Sequence, residues 1–380
     1  MRHGISSIRK NFFMMLADET LKQTPLIAQH KALKAKCVPF GGWEMPLQYA
    51  GIVMEYQQTR TAVTVFDTSH MGEFVIEGDC TGSGLDRIVT QELRSMPLKT
   101  CRYGVMLNQE GGIIDDLIVF RAKEQEWFIV VNAGTTPKDA AHFKKHLTSK
   151  AKFTDISSFI GKLDIQGPQS RDVMDLLNPQ IKNLSYYTFD EFEILGEKAL
   201  VSRTGYTGEL GYEIYYPWDK TVQVWDFLLK DKRVKPAGLG ARDVLRLEMA
   251  YPLYGNDIDE TITPLEAGLN KFVDLSKDFI GKDALLNQKK QGSKRKLIAF
   301  ASESRRSPRH NYKIFSTDEK NIGFVTSGSF SPSLNRGIGL GYVPLEFATP
   351  FTKLMVGDQE NKFNVEVVTR PFYRNGSLKS

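Results

Sequence analysis

A chain of 380 residues that is 41% hydrophobic, 25% charged and 11% aromatic has material for more than one core, about two or three at roughly 150 residues each, and has no apolar run long enough to span a bilayer as a helix. A formal charge of +5 is mild, and the basic residues are scattered, with Lys289–Lys290 and Lys294–Arg295–Lys296 reading as solvated loop charges, so no nucleic-acid partner is expected. Cys37, Cys80 and Cys101 lie far apart with no histidine at ligand spacing, which argues against a metal centre and a disulfide framework alike.

Residues 1–17 hold no acid but contain Arg2, Arg9, Lys10, two serines and an apolar stretch, the composition of an organelle transit peptide. Two other readings stay open for residues 1–20, a disordered tail and an upstream false start with Met14 or Met15 as the true beginning. The expected compartment is accordingly the bacterial cytoplasm, or the mitochondrion if residues 1–17 are a transit peptide.

The run Phe74–Gly78 predicts a strand, and Asp79 to Thr81 can cap a short helix carrying Leu85, Ile88 and Val89. A meander follows, with strands near Arg102–Leu107, Ile113–Arg121 and Trp127–Asn132 and a turn at Asn108–Gly112. Thr136–Pro137 opens a helix to about Leu147. The same order of elements recurs from Lys162, through a helix carrying Val173, Leu176 and Leu177, strands near Phe192–Leu195, Ala199–Ser202 and Gly211–Tyr216, and the amphipathic stretch Val222–Leu229. Two such units suggest a pseudo-repeated α+β core. After Gly281 short apolar runs broken by turn residues, at Ile322–Thr326, Gly339–Val343, Lys353–Val356 and Phe363–Val368, read as an all-β module, with Lys289–Lys296 as its linker or first loop.

Three segments carry candidate chemistry. In Gly111–Phe120 two adjacent acids, Asp115 and Asp116, interrupt an apolar strand, and strand alternation sends them to opposite faces. At least one must be hydrogen-bonded, paired or set in a polar cavity, because an unpartnered buried carboxylate costs several kcal/mol; the alternative is a turn-proximal acid bonding loop amides. In Arg203–Tyr215 three glycines, Gly205, Gly208 and Gly211, let the backbone approach a flat ligand, and Glu213 could accept two parallel hydrogen bonds from a 2-amino-pyrimidinone edge; the alternative is an exposed strand acid. In Gly240–Met249 a helix places Arg242 in its first turn, where the macrodipole disfavours a cation, which suggests an anionic partner or an ordinary salt bridge to Asp243 or Glu248.

Together with Phe40–Pro46, Phe66–Gly72 and Tyr254–Ile258, these segments resemble the aminomethyltransferase (T-protein) family of the glycine cleavage system, over about Thr24 to Tyr373. The resemblance implies three domains in a cloverleaf, two α+β and a C-terminal β-barrel. The first would be discontinuous, 21–67 plus 154–285, with the second at 68–153 and the barrel at 286–380. It further implies that the chain takes an aminomethyl group from the lipoyl-bearing H-protein, releases ammonia and passes the one-carbon unit to tetrahydrofolate as 5,10-methylenetetrahydrofolate. By motif the central aspartate falls on Asp116, with Asp115 pointing away; the pterin-binding acid falls on Glu213 and the folate-binding arginine on Arg242. Met71, Tyr103 and Asn132 match positions lining the folate cavity, and Tyr373 matches a C-terminal aromatic near it. His70 invites a general-base reading, which the resemblance replaces by a structural one, and His30, His142, His146 and His310 read as surface residues.

Two rival readings stand beside it, one that keeps the fold and changes the substrate and one of another class. A folate-dependent demethylase of the same superfamily would need no lipoyl carrier. A non-catalytic folate-binding accessory protein would carry a Lys-Gly-Cys-Tyr-x-Gly-Gln signature where this chain has Lys277–Lys282 without the cysteine.

Overall fold

The computed structural model describes residues 21–358 and 360–379, so the expected targeting segment or tail at 1–20 lies outside the described residues. Three β-structures dominate, with a small three-stranded sheet beside them. A six-stranded sheet runs in the order Phe189–Ile194, Glu197–Ser202, Gly211–Pro217, Ile160–Gln166, Val63–Asp67, Val234–Pro236. A five-stranded sheet runs Cys101–Leu107, Ile113–Lys123, Glu126–Val131, Gly72–Glu77, Lys152–Asp155. The chain leaves the first sheet at Asp67, builds the second, and returns at Ile160, where Leu163 pairs with Asp67. Pattern in the sequence could not show that return, because a strand's letters do not name its partner.

The C-terminal region closes into a barrel of six strands, Arg295–Ser302, Arg336–Pro344, Asn321–Ser331, Lys313–Phe315, Lys353–Gly357 and Lys362–Val368. Closure leaves no open edge. The architecture is thus the expected one, two α+β bodies and an all-β barrel. The expectation that Lys289–Lys296 is a linker or loop is corrected: Lys289 and Lys290 form the last turn of the helix Lys282–Gln291, where cations suit the dipole, and Arg295–Lys296 open the first barrel strand. That helix spans the expected 285/286 boundary, and the strand Lys152–Asp155, paired with Gly72–Glu77, spans 153/154.

Each body has an apolar centre. The helix Thr221–Lys230 lays Val224, Trp225 and Leu228 on Leu163, Ile165 and Ile214 of the six-stranded sheet. The helix Thr136–His146 presses Ala140 and Phe143 against Phe74, Ile76 and Ile129 of the five-stranded sheet. Truncating a buried ring such as Phe143 to alanine costs about 3–5 kcal/mol. These helices therefore hold fixed the strands and loops that carry the polar residues described next.

Candidate functional site

Asp115 and Asp116 follow a register shift at which Leu107 pairs with Ile113 and Met106 with Asp115, leaving Ile114 as the extra residue of a bulge. A bulge bends its strand and re-aims the side chains beside it. Asp116 is half-buried and turns towards Tyr103, whose hydroxyl donates to Asp116 Oδ2 at 3.0 Å. Asn132 Nδ2 donates to Asp116 Oδ1 at 2.8 Å and to Asp115 Oδ1 at 2.9 Å. Asp115 points to the opposite face, as expected, but is not independent of Asp116. It occupies the other face, fully buried, yet shares one amide with Asp116 and takes further hydrogen bonds from Asn132 N at 3.0 Å and Thr135 Oγ1 at 2.8 Å. Burial, and secondarily the Asp115 charge, push the Asp116 carboxyl up to about 7, against the pull of the Tyr103 and Asn132 hydrogen bonds. A carboxyl so placed can take and return a proton near neutral pH.

On the six-stranded sheet Asp164 pairs directly with Glu213 across two strands, and Lys162, two residues earlier, shares their face. Like charges facing each other destabilise a sheet unless a cation intervenes. Lys162 Nζ supplies it, at 2.7 Å from Asp164 Oδ1 and 2.6 Å from Glu213 Oε1, with all three side chains buried. Thr204 Oγ1 donates to Glu213 Oε2. Arg242, on the helix Leu239–Glu248, reaches down to Asp164 Oδ2 at 2.6 Å, and its guanidinium lies 5.1 Å from the Tyr206 ring. The salt bridge expected to Asp243 or Glu248 is made instead by other pairs, Arg246 with Asp243 and Arg60 with Glu248. The exposed-acid alternative for Glu213 is overturned as well, and burial raises its carboxyl despite Lys162.

The Tyr206 ring lies under the Arg242 guanidinium, and its hydroxyl donates to Pro252 O. The tip of the Phe40–Trp43 hairpin closes the near side. A Cβ on Gly41, whose φ is 55°, would stand 3.3 Å from Gly134 N and 3.4 Å from Ala133 Cβ, so the hairpin rests on the loop that begins at Asn132. The first domain family that matches, described as the GCVT N-terminal domain, covers residues 26–277, and the glycine cleavage T-protein C-terminal barrel domain covers 295–374. The chain belongs to the glycine cleavage T-protein family. It is 43% identical over 367 residues to an aminomethyltransferase from Pseudothermotoga lettingae, covering 95% of this chain and 100% of the relative. It is 40% identical over 361 residues to one from Geobacillus, covering 93% and 99%. The crystal structure of glycine cleavage system aminomethyltransferase T from Bartonella henselae superposes with a TM-score of 0.89 at 32% identity, over 94% of this chain and 99% of that one.

Within this T-protein fold, Asp116, Tyr103 and Asn132 form one group, and Glu213 and Arg242 join through Asp164 and Lys162 to form the other. Met71 packs with Phe128 and Tyr215, the ring two residues beyond Glu213 on the same strand face. The Tyr373 ring lies 4.0 Å from the Arg60 guanidinium, and Tyr251 stacks on Tyr206. His70 is buried with Nδ1 lacking a partner, and burial lowers its pKa to about 4, which removes the near-neutral titration that a general-base reading needs. His30 is no surface residue: it has no exposed area and bridges Asp67 Oδ2 at 2.8 Å and the Tyr49 hydroxyl at 2.9 Å. Residues missed from sequence are Lys162, Asp164 and Tyr206. The signal available for the first two was Lys162–Asp164–Gln166, three polar residues on one strand face, all of them buried.

Proposed function

We propose that this chain transfers the one-carbon unit of an aminomethyl-lipoyl carrier protein to tetrahydrofolate: the carbon's bonds to the amine nitrogen and to the lipoyl sulfur break, ammonia and the dithiol form of the carrier leave, and 5,10-methylenetetrahydrofolate forms. The observation that carries the reading is Asp116: a half-buried carboxyl fixed by Tyr103 and Asn132 and poised to ionise near 7. The surrounding residues fit a folate. Tyr103 and Phe272, with centroids 4.6 Å apart, and Tyr206 offer rings to a flat heterocycle. Each Glu213 oxygen has one hydrogen bond from protein, which leaves acceptor capacity for an amino-pyrimidinone edge, and Arg242 retains donors beyond the one bonded to Asp164.

Tetrahydrofolate supplies the nitrogens that take up the carbon. Asp116 orients those nitrogens and accepts and returns the proton that moves as ammonia leaves, while Tyr103 and Asn132 hold its carboxyl in place. Glu213 and Arg242 position the cofactor, and Asp116 forms no covalent bond. No group of three or more potential metal ligands occurs among the described residues.

The test is Asp116→Asn, assayed for methylenetetrahydrofolate formation with aminomethylated carrier protein. Turnover should fall by roughly a hundredfold or more while tetrahydrofolate affinity and folding persist. Near-normal turnover would sink the assignment. Consumption of a methylated sulfur compound by the parent protein, with no product from the carrier, would turn the reading towards the demethylases.

A further inference from the structure

Behind Asn132, on the side away from Asp116, lies a carboxyl group that the reaction outlined above does not use. Asp139 sits in the first turn of the helix Thr136–His146, fully buried, with its backbone N–H on Thr135 O at 2.9 Å. Among the described residues no N–H or O–H is directed at hydrogen-bond geometry to either of its carboxyl oxygens, the nearby Thr135 hydroxyl included. The group within its reach is the carboxylate of Asp115, equally buried, and the single proton of the Thr135 hydroxyl is already directed to Asp115 Oδ2 or Asn132 O. Two ionised carboxylates cannot share such a site without a cation, and none among the described residues bonds to either: Lys138, next to Asp139 in sequence, reaches outward to the Tyr254 hydroxyl and Glu260. One shared proton removes both the repulsion and the missing donor.

We propose that Asp139 is a positioning residue whose carboxyl O–H donates to Asp115, so that the proton-sharing pair fixes which end of the Asn132 amide faces Asp116. Asp115 takes both the backbone N–H and the Nδ2 of Asn132, and Asp116 takes Nδ2 as well, so two acceptors on one side force the amide nitrogen, never its oxygen, towards them. The titratable groups that face this assembly are Asp116, Tyr103 and Tyr206 on the cavity side, and Lys138 and Tyr254 on the outer side. Burial, then the Asp115 charge, drive the Asp139 carboxyl well above the carboxylate range, in keeping with a proton held there. The catalytic part of this inference rests on Asp116 as the group that meets substrate; the shared proton itself does not.

Two measurements separate these parts. The first uses the Asp116→Asn protein as background and records infrared difference spectra between it and the same protein with Asp139→Asn, at neutral pH. A carboxylic-acid carbonyl band present in the first and lost in the second is expected; its absence overturns the shared proton whatever Asp116 does. The second compares kcat in the otherwise unaltered enzyme. Asp139→Asn, whose amide still donates to Asp115, should keep kcat within about threefold. Asp139→Leu, which has the shape without the donor, should lower kcat roughly ten- to a hundredfold with a smaller change in KM for tetrahydrofolate. Equal activity in the two variants, or equal loss in both, overturns the positioning role.

Discussion

The two sheets each bury a group of acids, and they handle the charge in opposite ways. On the six-stranded sheet Asp164 and Glu213 face each other with Lys162 between them and Arg242 at the rim. Burial alone would raise Asp164, but the Lys162 and Arg242 charges outweigh it and hold its carboxyl well below the usual range. Around the five-stranded sheet Asp115 lies between Asp116 on its own strand and Asp139 on the helix Thr136–His146, no cation among the described residues bonds to any of the three, and all three carboxyls are raised. One region holds charge and the other holds protons. Under the proposed reaction, proton movement at Asp116 and positioning of the cofactor by Glu213 and Arg242 would fall to different sheets.

The largest test of that division is Lys162→Met, which removes the cation lying between Asp164 and Glu213. Stability measured by urea unfolding at neutral pH should fall by about 3–5 kcal/mol, because the variant leaves two buried carboxylates facing each other. The pH dependence carries a sign. In the parent, the folded pKa of Asp164 is depressed, so its contribution is present above the unfolded value near ~3.9 and is lost as pH falls through the folded one. In the variant, acid instead relieves repulsion by protonating Glu213, so the deficit relative to the parent should narrow as pH drops. A deficit constant from neutral pH to about 4 would mean that charge does not hold this region.

Arg242→Gln comes next. Asp164 keeps Lys162 and the Thr68 hydroxyl as partners, so the fold should survive. Tetrahydrofolate affinity, followed by titration calorimetry, should weaken roughly tenfold, or about 1.4 kcal/mol, while the pH at which turnover rises stays where it was. Unchanged affinity would place the cofactor away from the charge-holding region.

How far these regions were legible in the sequence follows from what each depends on. The meander around Asp115 and Asp116 could be read almost to the residue, since Ile113–Lys123 is a local apolar run with a turn before it. The opposite faces of the two acids could be read as well, but their common tie to Asn132 could not, because it depends on how the next strand's end comes back over the bulge. Lys162 and Asp164 escaped notice for a related reason. Alternation in Ile160–Gln166 separates two faces but does not say what covers the polar one, and here helix Leu239–Glu248 and the glycine-rich loop cover it. His30 was misread likewise, its partner Asp67 lying in a strand that only the tertiary fold brings near. Letters report local pattern; burial of a polar face is set by what folds over it.

The finest test acts on a single hydrogen bond in the proton-holding region. Tyr103→Phe removes the hydroxyl that donates to Asp116 Oδ2 and leaves the ring packed on Phe272. That bond favours the ionised carboxyl, so its loss must raise the Asp116 pKa further above about 7. A charge-assisted hydrogen bond is worth about 1.5–3 kcal/mol at most, and part is recovered from water, so a rise of roughly one unit is the scale to expect. If Asp116 must be ionised to accept a proton, turnover of Tyr103→Phe should fall severalfold at neutral pH and recover as the medium is made about one unit more alkaline. Asp115→Asn should move the same limb the opposite way, because the Asp115 charge is among the causes that hold Asp116 up. Opposite shifts from two neighbours on opposite faces could arise only through the Asp116 carboxyl. Shifts of the same sign, or none, would locate the titrating group elsewhere and dissolve the contrast between the two sheets.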